Sequence, residues 1–407
     1  MRAIFLSLLL GICNLASAQY KNDNKLYATV YLEDLCNALQ KNPGYLILDV
    51  RSKGEYADTS HFPAANIGYL ENSINIDIRE LDKRWKELIA YKSKPIFVVC
   101  SHSQRSRRAS ALLAENGFTK VFNINEGLAG INKKKSGGMG CATELYGTKN
   151  QFTLVSPAAL LALLRKPGKA VLYDLRGDSA MKGISTNERL NAFGTIKGAI
   201  PVFSETDMDK KLSVMPKNKT IILVDDFGEK SMEVATLVAR EGYTDVRVLL
   251  EGMETWMSTA PVDCPGKMDN WIRTAPYQVV TIPEFQSWTE ANPGYLLVDL
   301  RDSVIFANKS KEAWQNKGHI RGAVNIPAET LEKTAESWSF ARDRPILLYH
   351  FSNHPDVFKT ARILTNQGFS RVAVLSGGLF NLRWQAANIK GREGLFKWVE
   401  DIPEGGF

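Results

Sequence analysis

Short apolar runs alternate along this chain with longer stretches of helical periodicity. Residues 46–48, 95–99 and 121–124 are runs rich in Leu, Ile, Val and Phe, which is typical of strands buried in a sheet. Residues 109–117, ahead of the last run, place apolar side chains at helical spacing and end in glycine. This alternation predicts an α/β fold in which a mainly parallel sheet is flanked by helices on both faces.

Three landmarks recur along the chain at nearly constant spacing. An apolar run ends in Asp-x-Arg at three aspartates separated by 125 residues, Asp49, Asp174 and Asp299. A glycine opens a second element at Gly68, Gly194 and Gly318. A third element, a strand followed by a Gly-apolar pair, ends at Gly127, Gly252 and Gly378. The shared period predicts three tandem copies of one α/β unit.

Breaks in the apolar pattern set the predicted boundaries of these copies. Residues 136–152 and 262–277 contain Gly or Pro and lack apolar periodicity, as linkers do. We therefore predict a first domain over residues 24–135, a second over 152–262 and a third over 277–392. The tail after Arg392 is left unassigned.

The first 18 residues are typical of a secretory signal peptide. Arg2 is followed by an apolar stretch over residues 3–12, and small residues at 16–18 precede Gln19. We expect cleavage before Gln19 and export to a periplasm or the cell exterior. No later apolar run is long enough to span a bilayer, so no stable membrane insertion is expected after cleavage.

Composition and charge narrow the class of protein. The chain of 407 residues is 44% hydrophobic and 23% charged, as soluble globular proteins are. Its net charge of +7 comes from scattered Lys and Arg residues. Nucleic-acid binding requires a basic face with interleaved aromatic residues or a known module, and neither is present in the sequence. We therefore predict no nucleic-acid partner.

Four cysteines remain once the signal peptide is removed. Cys36 lies on the apolar face of a predicted helix, which indicates a core residue. Cys141 and Cys264 each follow a predicted domain end, so they could pair with each other in an exported chain. The sequence leaves that pairing open, because a disulfide requires close approach of the two Cβ atoms.

The fourth cysteine stands where chemistry is expected. The strand at residues 95–99 runs directly into a loop and then into a helical stretch, and the loop residues are Cys100, Ser101, His102, Ser103, Gln104, Arg105 and Ser106. A loop between a strand end and a helix start directs unpaired N–H groups and the positive end of the helix dipole into one concavity. That concavity would stabilise the thiolate of Cys100, and Arg105 adds a positive charge.

This Cys-x4-Arg-Ser loop, together with the Asp-x-Arg strand ends and the glycine-led elements, resembles the rhodanese (thiosulfate sulfurtransferase) family. The resemblance covers nearly all of the mature chain, as three tandem rhodanese-like domains. Tyrosine-phosphatase-like loops place five residues between Cys and Arg, whereas this loop has four. Many family members carry glycine near the middle of the loop, where this chain has Ser103.

The resemblance implies a sulfurtransferase with Cys100 and Arg105 as catalytic residues. Cys100 would take sulfur from an anionic donor such as thiosulfate, hold it as a persulfide and pass it to a small thiophilic acceptor or a protein thiol. Arg105 would orient the donor. The rest of the loop would bind substrate, mainly through backbone amides of Ser101, His102, Ser103, Gln104 and Ser106. No cofactor and no metal are implied.

The second and third copies lack the cysteine. Alignment by the landmarks places Asp225 at the Cys100 position of the second copy, and an aspartate cannot carry a persulfide. In the third copy the loop at residues 349–355 has no cysteine and is two residues longer by the same spacing. We predict that both copies are inactive.

Two other residue sets admit a catalytic or metal-binding role. Asp49 and Arg51 could take part in catalysis, but the pair recurs in the copies without cysteine, which favours a structural role. His350 and His354 have a helical spacing that metal sites use, but no third ligand is evident and Pro355 follows. We predict no metal site.

Two other functions remain open at this point. All three copies could form a non-catalytic binding or scaffold protein. Alternatively, Cys100 could belong to a thiol or persulfide relay that accepts sulfur from a partner.

Overall fold

The structure is a computed structural model that describes residues 26–135, 139–202, 210–211 and 214–403. The predicted signal peptide lies outside the described residues. No helix in the described part of the chain is both long and apolar enough to cross a membrane.

Each copy contains a five-stranded, all-parallel sheet with the same strand order. Numbered along the chain within a copy, the strands lie side by side in the order first, fifth, fourth, second, third. The first sheet contains Ala28–Val30, Leu46–Asp49, Ser73–Asn75, Ile96–Val99 and Val121–Ile124. The second contains Thr153–Val155, Ala170–Asp174, Ile200–Pro201, Thr220–Val224 and Val246–Leu249. The third contains Gln278–Val280, Leu296–Asp299, Val324–Asn325, Ile346–Tyr349 and Val372–Leu375.

The α-helices follow the repeat as well. The first copy and its linker contain Leu35–Lys41, Lys53–Tyr56, Ile78–Arg84, Gln104–Glu115, Gly127–Lys134 and Cys141–Leu145. The second contains Pro157–Leu164, Asp178–Met181, Glu188–Ala192, Glu229–Arg240 and Gly252–Ser258. The third contains Ile282–Ala291, Ser303–Phe306, Ala328–Thr334, Pro355–Asn366 and Gly378–Asn388.

Helices cover both faces of the first sheet. Ile47 and Phe97 on one face pack in a cluster with Leu35 and Leu128. Their strand neighbours, on the opposite face, pack in a second cluster with Leu81 and Leu113 of two other helices. Successive residues of a strand point to opposite faces, so the short apolar runs are buried on both sides. The predicted α/β fold with three tandem units is confirmed.

The copies share apolar cores. One cluster contains buried residues of the first and second copies, such as Ile131 and Phe152. Another joins the second and third copies, and includes Trp256 and Phe358. The three copies therefore pack against one another through apolar surface.

Each linker folds back onto the copy that it leaves. Tyr146–Gly147 pairs antiparallel with Tyr69–Leu70, and Trp271–Ile272 pairs with Thr195–Ile196. In the tail that the sequence left unassigned, Val399–Glu400 pairs with His319–Ile320. The tail therefore forms in the third copy the same short antiparallel pair that the two linkers form in the first and second copies. Strands of two residues are too short to leave a periodic signal.

The Asp-x-Arg motif forms a buried ion pair in every copy. The Nη2 atom of Arg51 lies 2.8 Å from Oδ2 of Asp49 and donates a second hydrogen bond, of 2.7 Å, to the carbonyl of Gly68. The same bonds join each later pair to its landmark glycine, Asp174 with Arg176 and Gly194, and Asp299 with Arg301 and Gly318. The motif therefore ties the second strand to the glycine-led element, which supports the structural role.

The structure settles the cysteine pairing that the sequence left open. Cys36 and Cys141 form a disulfide, so Cys141 does not pair with Cys264. Cys264 is a free thiol buried in the core shared by the second and third copies. Cys36 is only partly buried, so the expected core position is wrong. It lies beside the apolar face of Leu35–Lys41 and faces the linker helix that begins at Cys141.

Removing this disulfide is expected to destabilise the protein. The double substitution Cys36→Ala with Cys141→Ala opens a crosslink between residues 105 apart in sequence, which costs about 2–4 kcal/mol of unfolding free energy. Urea denaturation measures the loss. Reduction of the wild type should produce the same shift, whereas the variant should not respond to reductant. An unchanged midpoint after reduction would contradict the prediction.

Candidate active site

Cys100 lies at the carboxyl end of the central strand of the first sheet. It follows Ile96–Val99 directly and is 1% exposed. Its carbonyl accepts a 2.9 Å hydrogen bond from the amide of Leu128, and Ser101 accepts one of 3.0 Å from Ala129. A Cβ atom on Gly127 would collide with the Cys100 carbonyl. Glycine at this recurring position therefore allows the helix Gly127–Lys134 to approach the loop closely and hydrogen-bond to its carbonyl groups.

Ser103 supplies the tight turn of the loop. Its φ of 77° is in the left-handed region, where glycine is normally preferred. Gly228 has a φ of 95° at the matching position of the second copy. The buried hydroxyl of Ser103 accepts a 3.1 Å bond from Nδ2 of Asn123 and donates to Oδ1 of Asn125 at 3.2 Å. These bonds hold a serine in a conformation that otherwise favours glycine.

Two buried polar side chains lie beneath the sulfur atom. The thiol of Cys100 is 3.5 Å from the hydroxyl oxygen of Ser106, which lies 2.6 Å from Oδ1 of Asn123. Ser106 was predicted from the loop, whereas Asn123 was missed. The sequence did contain an indication of this residue, because Asn123 is a polar residue within the apolar run at 121–124. In the structure Asn123 is fully buried.

Arg105 is held by a carboxylate that the sequence analysis also missed. Its two terminal nitrogens each lie 2.7 Å from an oxygen of Glu55, and one donates to the hydroxyl of Ser101 at 3.0 Å. Hydrogen bonding to Glu55 raises the pKa of Arg105. Burial opposes ionisation of Glu55, but the bonds from Arg105 outweigh it and lower the pKa of that carboxyl. Glu55 also closes a capping box with Ser52, a pattern visible in the sequence.

The outer side of the loop contacts the other two copies. Nε2 of His102 lies 2.9 Å from Oε1 of Glu251, a residue of the second copy that also binds Lys133 at 2.7 Å. Trp384, in the third copy, donates a 3.4 Å bond to the carbonyl of His102. Gln104 is exposed at the start of the helix. The structure therefore groups Ser101, Arg105 and Ser106 near Cys100, and places His102 and Gln104 towards the outside.

The second copy shows the same loop around the carboxyl group of Asp225. The carboxylate of Asp225 accepts hydrogen bonds from the amide of Gly228 at 2.8 Å, the amide of Lys230 at 3.0 Å and the hydroxyl of Ser231 at 2.6 Å. The corresponding positions in the first copy are Ser103, Arg105 and Ser106. In both copies the helix begins four residues after the Cys or Asp position.

The third copy requires a correction to the sequence alignment. Tyr349 pairs with Asp299 as Val99 pairs with Asp49, so the residue at the Cys100 position is His350. The loop runs from His350 to the helix start at Pro355. It is one residue longer than the first loop, not two, because Tyr349 belongs to the strand.

His350 is a buried side chain whose ring is neutral near pH 7. Its ring stacks on that of His354 with centroids 4.3 Å apart, and burial lowers the pKa of His350 to about 4. Within the described residues, no group of three or more His, Cys, Asp or Glu side chains could hold a metal ion.

Comparison with known proteins finds relatives that match part of this chain. The tRNA uridine(34) hydroxylases of several Escherichia coli strains are 30% identical over 102 residues, which is 24% of this chain and 27% of theirs. The chain thus matches about a quarter of the length of these curated relatives.

Two solved structures also match this chain. A rhodanese-related protein from Thermoplasma volcanium is 30% identical, covering 26% of this chain and 89% of that one, with a TM-score of 0.21. A thiosulfate sulfurtransferase from Pseudomonas aeruginosa is 16% identical, covering 86% of this chain and 66% of that one, with a TM-score of 0.22.

The family model covers most of the chain. The model for the rhodanese-like domain matches three times, at residues 32–134, 156–259 and 282–386. Each match contains the Asp-x-Arg pair and the loop after the central strand of its sheet. This chain therefore belongs to the rhodanese-like domain family, as three tandem copies.

Proposed function

We propose that this protein is a sulfurtransferase that carries sulfane sulfur as a persulfide on Cys100. It takes the sulfur from a donor such as thiosulfate and passes it to a thiophilic small molecule or a protein thiol. Membership of the rhodanese-like family supports sulfur transfer in general. The observation that carries the specific proposal is the second-copy loop, which binds the Asp225 carboxylate through its own amides and hydroxyl.

That loop supports the proposal because its hydrogen bonds favour the ionised form of Asp225 and oppose the effect of burial, which still raises the pKa of that carboxyl. The amides of Ser103 and Arg105 and the hydroxyl of Ser106 are the matching groups in the first copy. They lie at the start of the helix Gln104–Glu115, where the helix dipole also favours an anion. Thiolate and persulfide are both anions, so the same donors stabilise the nucleophile and the intermediate.

The transfer takes place in two displacements on sulfur. The Cys100 thiolate attacks the outer sulfur of thiosulfate, a new S–S bond forms, and sulfite leaves with the electron pair of the broken S–S bond. The acceptor then attacks the outer sulfur of the persulfide, and the Cys100 thiolate is regenerated as leaving group. Neither step needs an oxidant, a reductant or a cofactor.

The proposal includes export of the mature chain. The signal-like segment at residues 1–18 and the disulfide between Cys36 and Cys141 both support an oxidising compartment. Mass measurement of the protein recovered from cells tests this. A mature chain beginning at Gln19 is expected, and an intact N-terminus would contradict export by cleavage.

Steady-state kinetics test the two-step proposal. Thiocyanate formation from thiosulfate and cyanide should give parallel double-reciprocal lines when one substrate is varied at several fixed concentrations of the other, because sulfite leaves before cyanide reacts. Intersecting lines, or no thiocyanate from fully reduced protein, would overturn the proposal.

The second copy offers a gain-of-function prediction. Asp225→Cys places a thiol among the hydrogen-bond donors that contact the Asp225 carboxylate. We therefore expect this variant to accept a second sulfur atom per chain. Intact mass after incubation with donor measures the gain, and Asp225→Ser is the matched control. A folded Asp225→Cys protein that accepts only one sulfur would show that the second loop lacks something besides the nucleophile.

A further inference from the structure

Two carboxylates border the loop that holds Cys100. Glu55 meets Arg105, and Glu251 meets both His102 and Lys133. Arg105 is the residue expected to orient an anionic donor, whereas His102 and Lys133 lie on the outer side of the loop. The pairing of these side chains with carboxylates affects which charge on a sulfur donor the site accepts.

The pair of Arg105 with Glu55 is more firmly held than an ordinary surface ion pair. Both terminal nitrogens of Arg105 are engaged, and the side chain of Glu55 is only 13% exposed. Glu55 also accepts bonds from the amide and hydroxyl of Ser52. A sulfur donor that binds Arg105 must therefore displace the Glu55 carboxylate, which Ser52 also holds in place.

Glu251 reaches the loop from the second copy. It has a left-handed φ of 59° and directly precedes Gly252, which supports the second-copy loop. Burial opposes ionisation of Glu251, but the charge of Lys133 and the hydrogen bond with His102 outweigh it and lower its pKa. The second copy thus places a fixed negative charge beside His102, two residues from Cys100.

We infer that the Cys100 site selects a sulfur donor that carries a single negative charge, a persulfide of a small or protein thiol, in preference to the thiosulfate dianion. Each carboxylate neutralises a cation beside the loop, Arg105 or Lys133, and so removes attraction that would favour a dianion over a monoanion. Glu251 is then a specificity-determining residue that the second copy supplies. This inference rests on the proposed function, since it names the donor for the same persulfide.

The loading step balances without further reactants. The Cys100 thiolate attacks the terminal sulfur of the donor anion R–S–S⁻ and forms the persulfide anion Cys100–S–S⁻. The S–S bond of the donor breaks, and R–S⁻ leaves with its electron pair. The donor thiol is the only by-product, and no sulfite is formed.

Single-turnover loading tests this preference. Second-order rate constants for persulfide formation on Cys100 are measured with thiosulfate and with cysteine persulfide, which carries one net negative charge. The quantity compared is the ratio of the thiosulfate constant to the persulfide constant, because intrinsic donor reactivity cancels between variants. We expect Glu55→Gln and Glu251→Gln each to raise this ratio about threefold to tenfold.

The variants preserve most local structure. Glutamine can still close the capping box with Ser52, and Glu251→Gln keeps a hydrogen-bonding oxygen beside His102. Glu188→Gln is the control, since Glu188 forms a partly buried ion pair with Arg362 between the second and third copies. Its ratio should equal that of the wild type.

A second measurement does not require sulfur transfer. The rate of alkylation of Cys100 by anionic iodoacetate, divided by the rate with neutral iodoacetamide, should rise by a similar factor in Glu251→Gln. Unchanged ratios in both experiments, with both donors still loading Cys100, would overturn the inference and leave the proposed function standing. Failure of both donors to load the wild type would instead overturn the proposed function.

Discussion

Replacing Cys100 by serine is expected to reduce sulfur transfer at least about a thousandfold, to the uncatalysed background. A serine hydroxyl is not ionised near neutral pH, and it cannot form the S–S bond that holds the transferred sulfur. Asp225 and His350 stand at the matching positions of the other copies, and neither side chain can take over. Thiocyanate formation from thiosulfate and cyanide measures the loss.

The substitution should leave the fold intact. The thiol of Cys100 makes one hydrogen bond, to Ser106, and serine is close to it in size. Circular dichroism and the urea midpoint should therefore match those of the wild type. Turnover by Cys100→Ser above a few per cent of wild type would place the sulfur carrier elsewhere.

Replacing Arg51 by methionine is expected to lower the unfolding free energy by about 3–5 kcal/mol. Asp49 and Arg51 are both 0% exposed, so the substitution leaves a buried carboxylate without its cation. The carbonyl of Gly68 also loses its bond from Arg51. Urea denaturation measures the change, and Arg176→Met and Arg301→Met should behave alike because the same bonds recur.

Two comparisons separate this effect from a general effect of losing an arginine. Arg84→Met removes two exposed ion pairs, with Glu80 and Glu87, and should change the midpoint little. The double substitution Asp49→Leu with Arg51→Met should cost less than Arg51→Met alone, because it leaves no unpaired buried charge. A loss in Arg51→Met no larger than in Arg84→Met would contradict a buried structural pair.

Features that depend on local pattern were predictable from the sequence. The buried strands are short apolar runs, and each such pattern occurs three times because the domain is repeated. The Cys100 loop follows because a strand leads directly into a helix at that point. The strand register also explains why Asp225 was placed correctly, since the first and second copies have loops of equal length.

Features that depend on contacts distant in sequence were not predictable. Glu55 lies 50 residues from Arg105, and Glu251 lies 149 residues from His102; no spacing in the sequence connects these pairs. The partner of Cys141 depends on how the linker helix packs, which the apolar pattern does not encode. The sequence alignment began the loop of the third copy one residue too early, at Tyr349, because the longer loop shifts the landmark count. Strand pairing shows that His350 matches Cys100.

The most direct test is to locate the transferred sulfur itself. The reduced mature protein is incubated with a sulfane-sulfur donor, and its intact mass and peptide masses are measured under conditions that preserve persulfides. We predict a gain of one sulfur atom per chain, on the peptide that contains Cys100, and no gain in Cys100→Ser. A wild-type protein that gains no sulfur, or gains it at Cys264 or another residue, would contradict the account.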